Sequence, residues 1–155
     1  MFAIQPTKKV QEQGQIRPVV RCVFRRDHDI LLLEQPAADG SVGYCLPGGS
    51  VGFGEYTWEA IRREIRDELG EEIGSLTFLG PAEQVLTEGG KRTHEIVFLF
   101  EGQFLRKHPY HQESLQQGSG PRAQWKPVAD LLQGGIRVYP EGLLDLLDDS
   151  ELLIP

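Results

Sequence analysis

The apolar positions of the chain follow two rhythms. "VVRCVF" (Val19 to Phe24) and "ILLLEQ" (Ile30 to Gln35) are β-rich runs joined by the turn-prone "RRDHD", and they predict a hairpin. After the loop "AADGSVG" comes a short "YCLPGG", which Pro47 and the paired glycines interrupt. From about Thr57 to Leu69 the period lengthens. At about 100° per residue, Trp58, Ile61, Ile65 and Leu69 share one stripe, which predicts a helix packed on a sheet and stopped by Gly70 as a glycine C-cap. "LTFLG" and "AEQVLT" then read as strand material, "EGGK" as a turn, and "HEIVFLFEGQF" (His94 to Phe104) as the longest buried strand. Residues 105–123 are polar and rich in Pro, Gly and Ser, and are expected to form a long loop. "AQWKPVADLL" returns to the core and "PEGLLDLLDD" is a short amphipathic helix. Strands on both sides of a central helix, with no internal repeat, indicate an α/β layered domain with a mixed sheet.

Length and charge narrow the classes of function. At 155 residues, 39% apolar and 25% charged, the chain is expected to form one domain over residues 17–155, preceded by a polar N-terminal arm over residues 1–16. The 16 Lys and Arg against 23 Asp and Glu give a net charge of -7, which disfavours non-specific nucleic-acid binding. Cys22 and Cys45 sit in apolar stretches without zinc or disulfide spacing and read as reduced, buried thiols. The N-terminal residues do not pattern as a signal peptide, and no apolar run approaches membrane-spanning length, so a cytoplasmic protein is expected, with a homodimer as one allowed assembly.

The helix carries the candidate chemistry. Glu64, Asp67, Glu68 and, if the helix continues, Glu71 fall on one flank of the apolar stripe, and Arg62, Arg63 and Arg66 on the other. Like charges one turn apart cost about 0.2–0.5 kcal/mol per pair, too little to separate an ordinary solvated face from a cation site. Carboxylates converging from adjacent turns do match what Mg²⁺ or Mn²⁺ takes from a protein: one or two hard oxygen ligands, the rest from water and substrate phosphates. The preceding "GGSVGFG" is neither a P-loop nor a dinucleotide-binding fingerprint, since no Gly-Lys-Ser/Thr follows it and the G-x-G-x-x-G spacing is missing.

Loop and helix together give a sharper signal. From Gly49 the chain reads Gly, five others, Glu55, seven others, Arg63, Glu64, Ile65, one other, Asp67, Glu68, one other, Gly70 and Glu71, 23 positions in all. This resembles the Nudix box of the Nudix hydrolases. It departs at Asp67, where the family usually has Glu, and at Glu71, where an aliphatic residue is usual. "YCLPGG", "HEIVFLFEG" and the Trp125, Pro127 element extend the resemblance over residues 17–147.

The resemblance implies an α/β/α sandwich with a mixed β-sheet. It implies Glu64 and Glu68 as metal ligands for Mg²⁺ or Mn²⁺, with Asp67 auxiliary because its reach is a methylene shorter. Arg63 would pair with Glu55 and brace the loop, and Gly49 would allow the backbone turn that presents loop groups near the metal. Glu71 and Glu72 are expected to be solvated. The implied reaction is hydrolysis of a nucleoside diphosphate linked to another moiety, such as a nucleoside triphosphate, nucleotide sugar or dinucleotide. A general base must take the proton of the attacking water, and Glu68, Glu95 and Glu113 are its candidates; Glu95 and Glu113 also read as ordinary surface glutamates. Arg21, inside a strand, either contacts substrate phosphate or faces water from an edge, and His94 reads as a strand cap. The proline that the ADP-ribose subgroup carries past its box is missing, Leu86 and Thr87 occupying that region. A nucleotide-binding module without catalysis is the alternative function, and an RNA-end processing enzyme a third that lacks the expected basic groove.

Overall fold

The computed structural model describes residues 14–36 and 39–148. Of the expected N-terminal arm, residues 1–13 lie outside the described residues, as does Asp149 at the end of the expected C-terminal helix.

Strand β1 (Ile16–Arg26) is the spine of the sheet. Val19 and Val23 are buried on one of its faces and Val20, Cys22 and Phe24 on the other, the two-residue alternation of a strand covered on both sides. It turns at Asp27, which adopts the left-handed backbone that Asp tolerates (φ 53°), into the antiparallel β2 (Asp29–Pro36), as the hairpin pattern predicts. β3 (Val42–Cys45) lies antiparallel to β2, and after Pro47 the three-residue β4 (Gly48–Ser50) pairs antiparallel with Val19–Arg21 of β1.

Helix α1 (Thr57–Leu69) has the bounds its period predicts. The Glu59 carboxylate closes its N-terminus by accepting the Tyr56 backbone N–H at 2.9 Å, and Gly70 ends it in the left-handed conformation (φ 69°). The two runs read as separate strand material form one strand, β5 (Ile73–Glu88), with a register shift between Phe78 and Gly80. β6 (Lys91–Phe104) pairs antiparallel with β5 and parallel with β1, from Ile16 opposite His94 to Phe24 opposite Gly102.

The stretch expected to be a long loop is partly regular. A short 3-10 helix (His108–His111) precedes β7 (Ser114–Leu115), which pairs with β8 (Ala123–Pro127). β8 lies antiparallel to β2, α2 (Val128–Leu132) follows, β9 (Val138–Tyr139) runs parallel to β3, and α3 (Leu143–Asp148) ends the described chain.

This is an α/β fold built on a mixed sheet. On one side Ala60, Ile61, Ile65 and Leu69 of α1 pack against Val20, Cys22, Phe24, Leu31 and Phe100. On the other, Val128, Leu131 and Leu143 of α2 and α3 cover Val19, Val23, Ile30, Leu32 and Leu99. Two expectations about the helix are corrected. Trp58, assigned to the buried stripe, is about half exposed at 51%: it lies in the first turn and stacks on Tyr56, and Ala60 takes its place in the core. Glu71, expected to be solvated, is 5% exposed and ion-paired with Arg106 at 2.7 Å. The backbone hydrogen bond from Leu105 N–H to Glu72 O brings Arg106 over the helix exit and creates that pair. Glu72 remains half exposed and pairs with Arg66.

Candidate active site

The site forms where β4 passes beneath α1. Gly48 donates its backbone N–H to Glu68 Oε1 at 3.2 Å. A methyl group at Gly48 would run into the Val20 carbonyl oxygen, and one at Gly49 into the Glu64 carboxylate. Gly48 is therefore required by the close approach of β4 to the backbone of β1, while Gly49 leaves the space in which the Glu64 carboxylate of the helix is seated.

Arg63 joins the loop to the helix. It makes two hydrogen bonds to Glu55, at 2.8 and 2.9 Å, one to Ser50 O at 2.9 Å and one to Glu64 Oε1 at 2.8 Å. Glu55 also accepts the Gly52 N–H at 2.9 Å. The Arg63 hydrogen bonds and then the Gly52 N–H hold the Glu55 carboxyl at about 2, and the same carboxylates push the Arg63 guanidinium up. The expected brace between Arg63 and Glu55 is present. The charges are less cleanly sorted than the wheel implies, because Arg63 reaches across to Glu64 and lies 3.9 Å from Asp67.

Among the carboxylates, Glu68 is the most perturbed. Burial pushes it up to about 7, the Gly48 N–H and Arg21 oppose the shift, and the Glu64 charge adds to it. Asp67 is 65% exposed, and its ion pair with Arg63, at 3.9 Å, lies within the helix. Among the described residues no three His, Cys, Asp or Glu side chains gather into a ready metal-binding cluster. A pair of carboxylates against a glycine loop is nonetheless a donor set that fits Mg²⁺ or Mn²⁺, which need only one or two protein carboxylates and take further oxygens from water and phosphate. A cation there would offset both the burial and the like-charge contact that raise Glu68.

Arg21 does not sit on an edge. β1 is flanked at that point by β4, through Gly48, and by β6, through Leu99. Its Nη1 donates to Leu46 O at 3.0 Å, and the side chain lines a cleft of about 120 Å³ together with Cys45, Gln84, Glu95, Arg137 and Tyr139. Glu95 is reached by Arg17 at 3.2 Å. It lies inside β6 and not at its head, since that strand begins at Lys91; His94 likewise is a mid-strand residue opposite Val85, not a cap. Glu113 is exposed and precedes β7, with no hydrogen bond or ion pair to a described residue. The sequence reading did not single out Gln84, Arg137 or Tyr139. They come from β5, from the residue before β9 and from β9 itself, and only the strand order gathers them.

Comparison with known proteins bears on this arrangement. The family model described as the NUDIX domain matches residues 15–146. The chain is 26% identical over 117 residues to an uncharacterized Nudix hydrolase, YvcI, of Bacillus subtilis strain 168, a match covering 75% of this chain and 69% of that protein. A NUDIX hydrolase from Nitrosomonas europaea has a similar structure, with a TM-score of 0.66 at 20% identity over 87% of this chain and 88% of its own. So does a MutT protein from Methanosarcina mazei Go1, with a TM-score of 0.64 at 20% identity over 89% of this chain and 94% of its own.

Proposed function

The chain belongs to the NUDIX family and is a Nudix hydrolase, a pyrophosphohydrolase of nucleotide derivatives, and on that premise we propose that it cleaves, with a divalent cation, the pyrophosphate bond of a nucleoside diphosphate linked to another moiety. The observation that carries the metal assignment is the seating of Glu64 and Glu68 against Gly48 and Gly49, with Glu68 largely withdrawn from water.

In this reading Glu64 and Glu68 hold Mg²⁺ or Mn²⁺, with Asp67 auxiliary from its exposed position. When bound, the cation supplies charge neutralisation of the pyrophosphate oxygens and a lower pKa for the attacking water. Arg63 keeps Glu64 in place through the Glu55 brace. Arg21, held by the Leu46 carbonyl and opposite Gly48, directs its remaining N–H groups toward substrate phosphate. Of the three candidates for the proton of water, Glu68 is the one this reading favours: its one hydrogen bond among the described residues is to Gly48, which leaves its second oxygen available. Glu95 lines the cleft with one oxygen held by Arg17, and Glu113 has no hydrogen bond or ion pair among the described residues. Cys22 and Cys45, both buried and unpaired, support a reducing compartment, and we assign the protein to the cytoplasm.

The test is a screen of nucleoside diphosphate derivatives with Mg²⁺ or Mn²⁺, run beside Glu68→Gln. Turnover that needs the cation and falls by about 10²–10⁴-fold in the variant is expected, with an unchanged circular dichroism spectrum. Nucleotide binding without turnover of any compound would replace hydrolysis by recognition alone.

A further inference from the structure

The cleft beside Arg21 begins where the carboxylate site ends. Arg21 faces Gly48 across the β1/β4 pair, and the Gly48 N–H holds Glu68. At about 120 Å³ the cleft is well below the ~300–1,000 Å³ of a site for a drug-sized ligand, so it takes one part of a substrate and not the whole. Pro36, Leu86, Val97 and Tyr139 supply flat or apolar walls. Its polar lining is Arg21, Gln35 and Arg137 together with Gln84 and Glu95, the last two being direct partners across the β5/β6 ladder whose side chains share one face.

Gln84 is the residue the hydrolase site leaves unexplained. It is only 8% exposed, yet its amide forms no hydrogen bond with any described residue. No buried side-chain nitrogen or oxygen among the described residues lacks a partner, so the Gln84 amide is not sealed away but opens onto the cleft, where a ligand can pair with it. Glu95 has one oxygen held by Arg17 at 3.2 Å and no other hydrogen bond among the described residues. The cleft therefore presents a carboxylate, which only accepts, beside an amide, which both donates and accepts.

We propose that this cleft binds the base of the substrate and selects guanine, with Glu95 and Gln84 as the specificity-determining residues; the proposal rests on the hydrolase reading of the adjoining site. The guanine edge offers two adjacent N–H donors, N1–H and the 2-amino group, followed by the O6 acceptor. Glu95 takes the two donors and the Gln84 amide N–H meets O6. Adenine and cytosine would turn a ring-nitrogen lone pair toward the carboxylate, and uracil offers a single N–H between two carbonyl oxygens. A site built to pair polar groups rejects a partner that leaves them unpaired.

Two measurements separate this proposal from the hydrolase reading. In steady-state kinetics with Mg²⁺, guanosine triphosphate should exceed adenosine triphosphate in kcat/KM by about tenfold or more, with inosine triphosphate, which lacks the 2-amino group, between them. Glu95→Gln and Gln84→Leu should bring the guanosine to adenosine ratio toward one. Calorimetric titration with guanosine, inosine and adenosine monophosphates, which contain no pyrophosphate, should show the same order without turnover. The inosine comparison changes the ligand and leaves the protein intact, so it stands even if a variant folds poorly. A guanine preference in binding without hydrolysis of any triphosphate upholds the cleft and sinks the hydrolase reading. Equal binding of the three monophosphates, or a guanine preference unchanged in Glu95→Gln, overturns the cleft.

Discussion

Arg63 shows how one side chain can organise several others. Its four hydrogen bonds are spread over Glu55, Ser50 and Glu64, so the loop, the helix and the Glu64 carboxylate are held by a single rigid fork. Gly49 completes this at the Glu64 end by having no side chain. Gly49→Ala should displace the Glu64 carboxylate and lower kcat/KM by about tenfold to a hundredfold, the scale of a disturbed metal ligand. Activity kept at the wild-type level with the alanine in place would show that Glu64 does not need that seat. Glu55 gives a prediction in pH. Its carboxyl drops from 4.5 to about 2 because Arg63 and then the Gly52 N–H favour the charged form, so the folded chain binds this proton less readily than the unfolded one. The group therefore contributes stability that is fully present above about 4.5 and is lost as pH falls toward 2. The melting temperature of wild type minus that of Glu55→Gln should be positive at pH 6 and shrink steadily below pH 4. A difference independent of pH would mean that the pair is formed equally in the unfolded chain.

Helix α1 was the most legible element, because its thirteen residues combine a clear period with a glycine stop. Gly70 takes φ 69°, and a methyl there would also press on the end of the Gln117 side chain. Gly70→Ala should cost about 1–2 kcal/mol of unfolding free energy, the penalty for a left-handed non-glycine residue. Gly70→Asn should cost less, because Asn visits that conformation with local hydrogen bonding. Urea denaturation of both variants checks the order, and equal values would point to Gln117 in place of the backbone. The parts of the fold that sequence could not reveal share a physical cause. β7 and β9 have two residues each, too few to display a period, and exist only because β8 and β3 offer free backbone edges. The burial of Glu71 depends on Arg106, 35 positions along the chain, and a lone Glu after a glycine stop carries no trace of that partner. Trp58 failed for the opposite reason: its position in the period was right, but the first turn of the helix extends past the surface that would have covered it.

At the scale of the molecule, β1 ties the two halves of the sheet together. It pairs with β4 and β6 along residues 16–24 and with β2 only at residues 25 and 26. The cleft opens between those halves, next to the carboxylates, which is why its lining could not be read from any one segment while the carboxylate set could be read from 23 consecutive positions. The charge of the chain constrains how this assembly meets its substrate. A net charge of -7 repels an anionic pyrophosphate, and in the proposed site Glu64 and Glu68 would add to that repulsion, so the proposed cation would serve binding as well as chemistry. A cation that binds the folded chain alone must also stabilise it, by about 2.7 kcal/mol at a hundred times its dissociation constant. The melting temperature of the wild type should therefore rise with Mg²⁺ and return on chelation, while the Glu64→Gln, Glu68→Gln double variant should show no such rise. Because any salt screens a chain of this charge, the comparison is made at constant ionic strength with Na⁺ as the balancing ion. An equal rise in the double variant would place the stabilising cation elsewhere on the acidic surface and remove these two glutamates from the metal site.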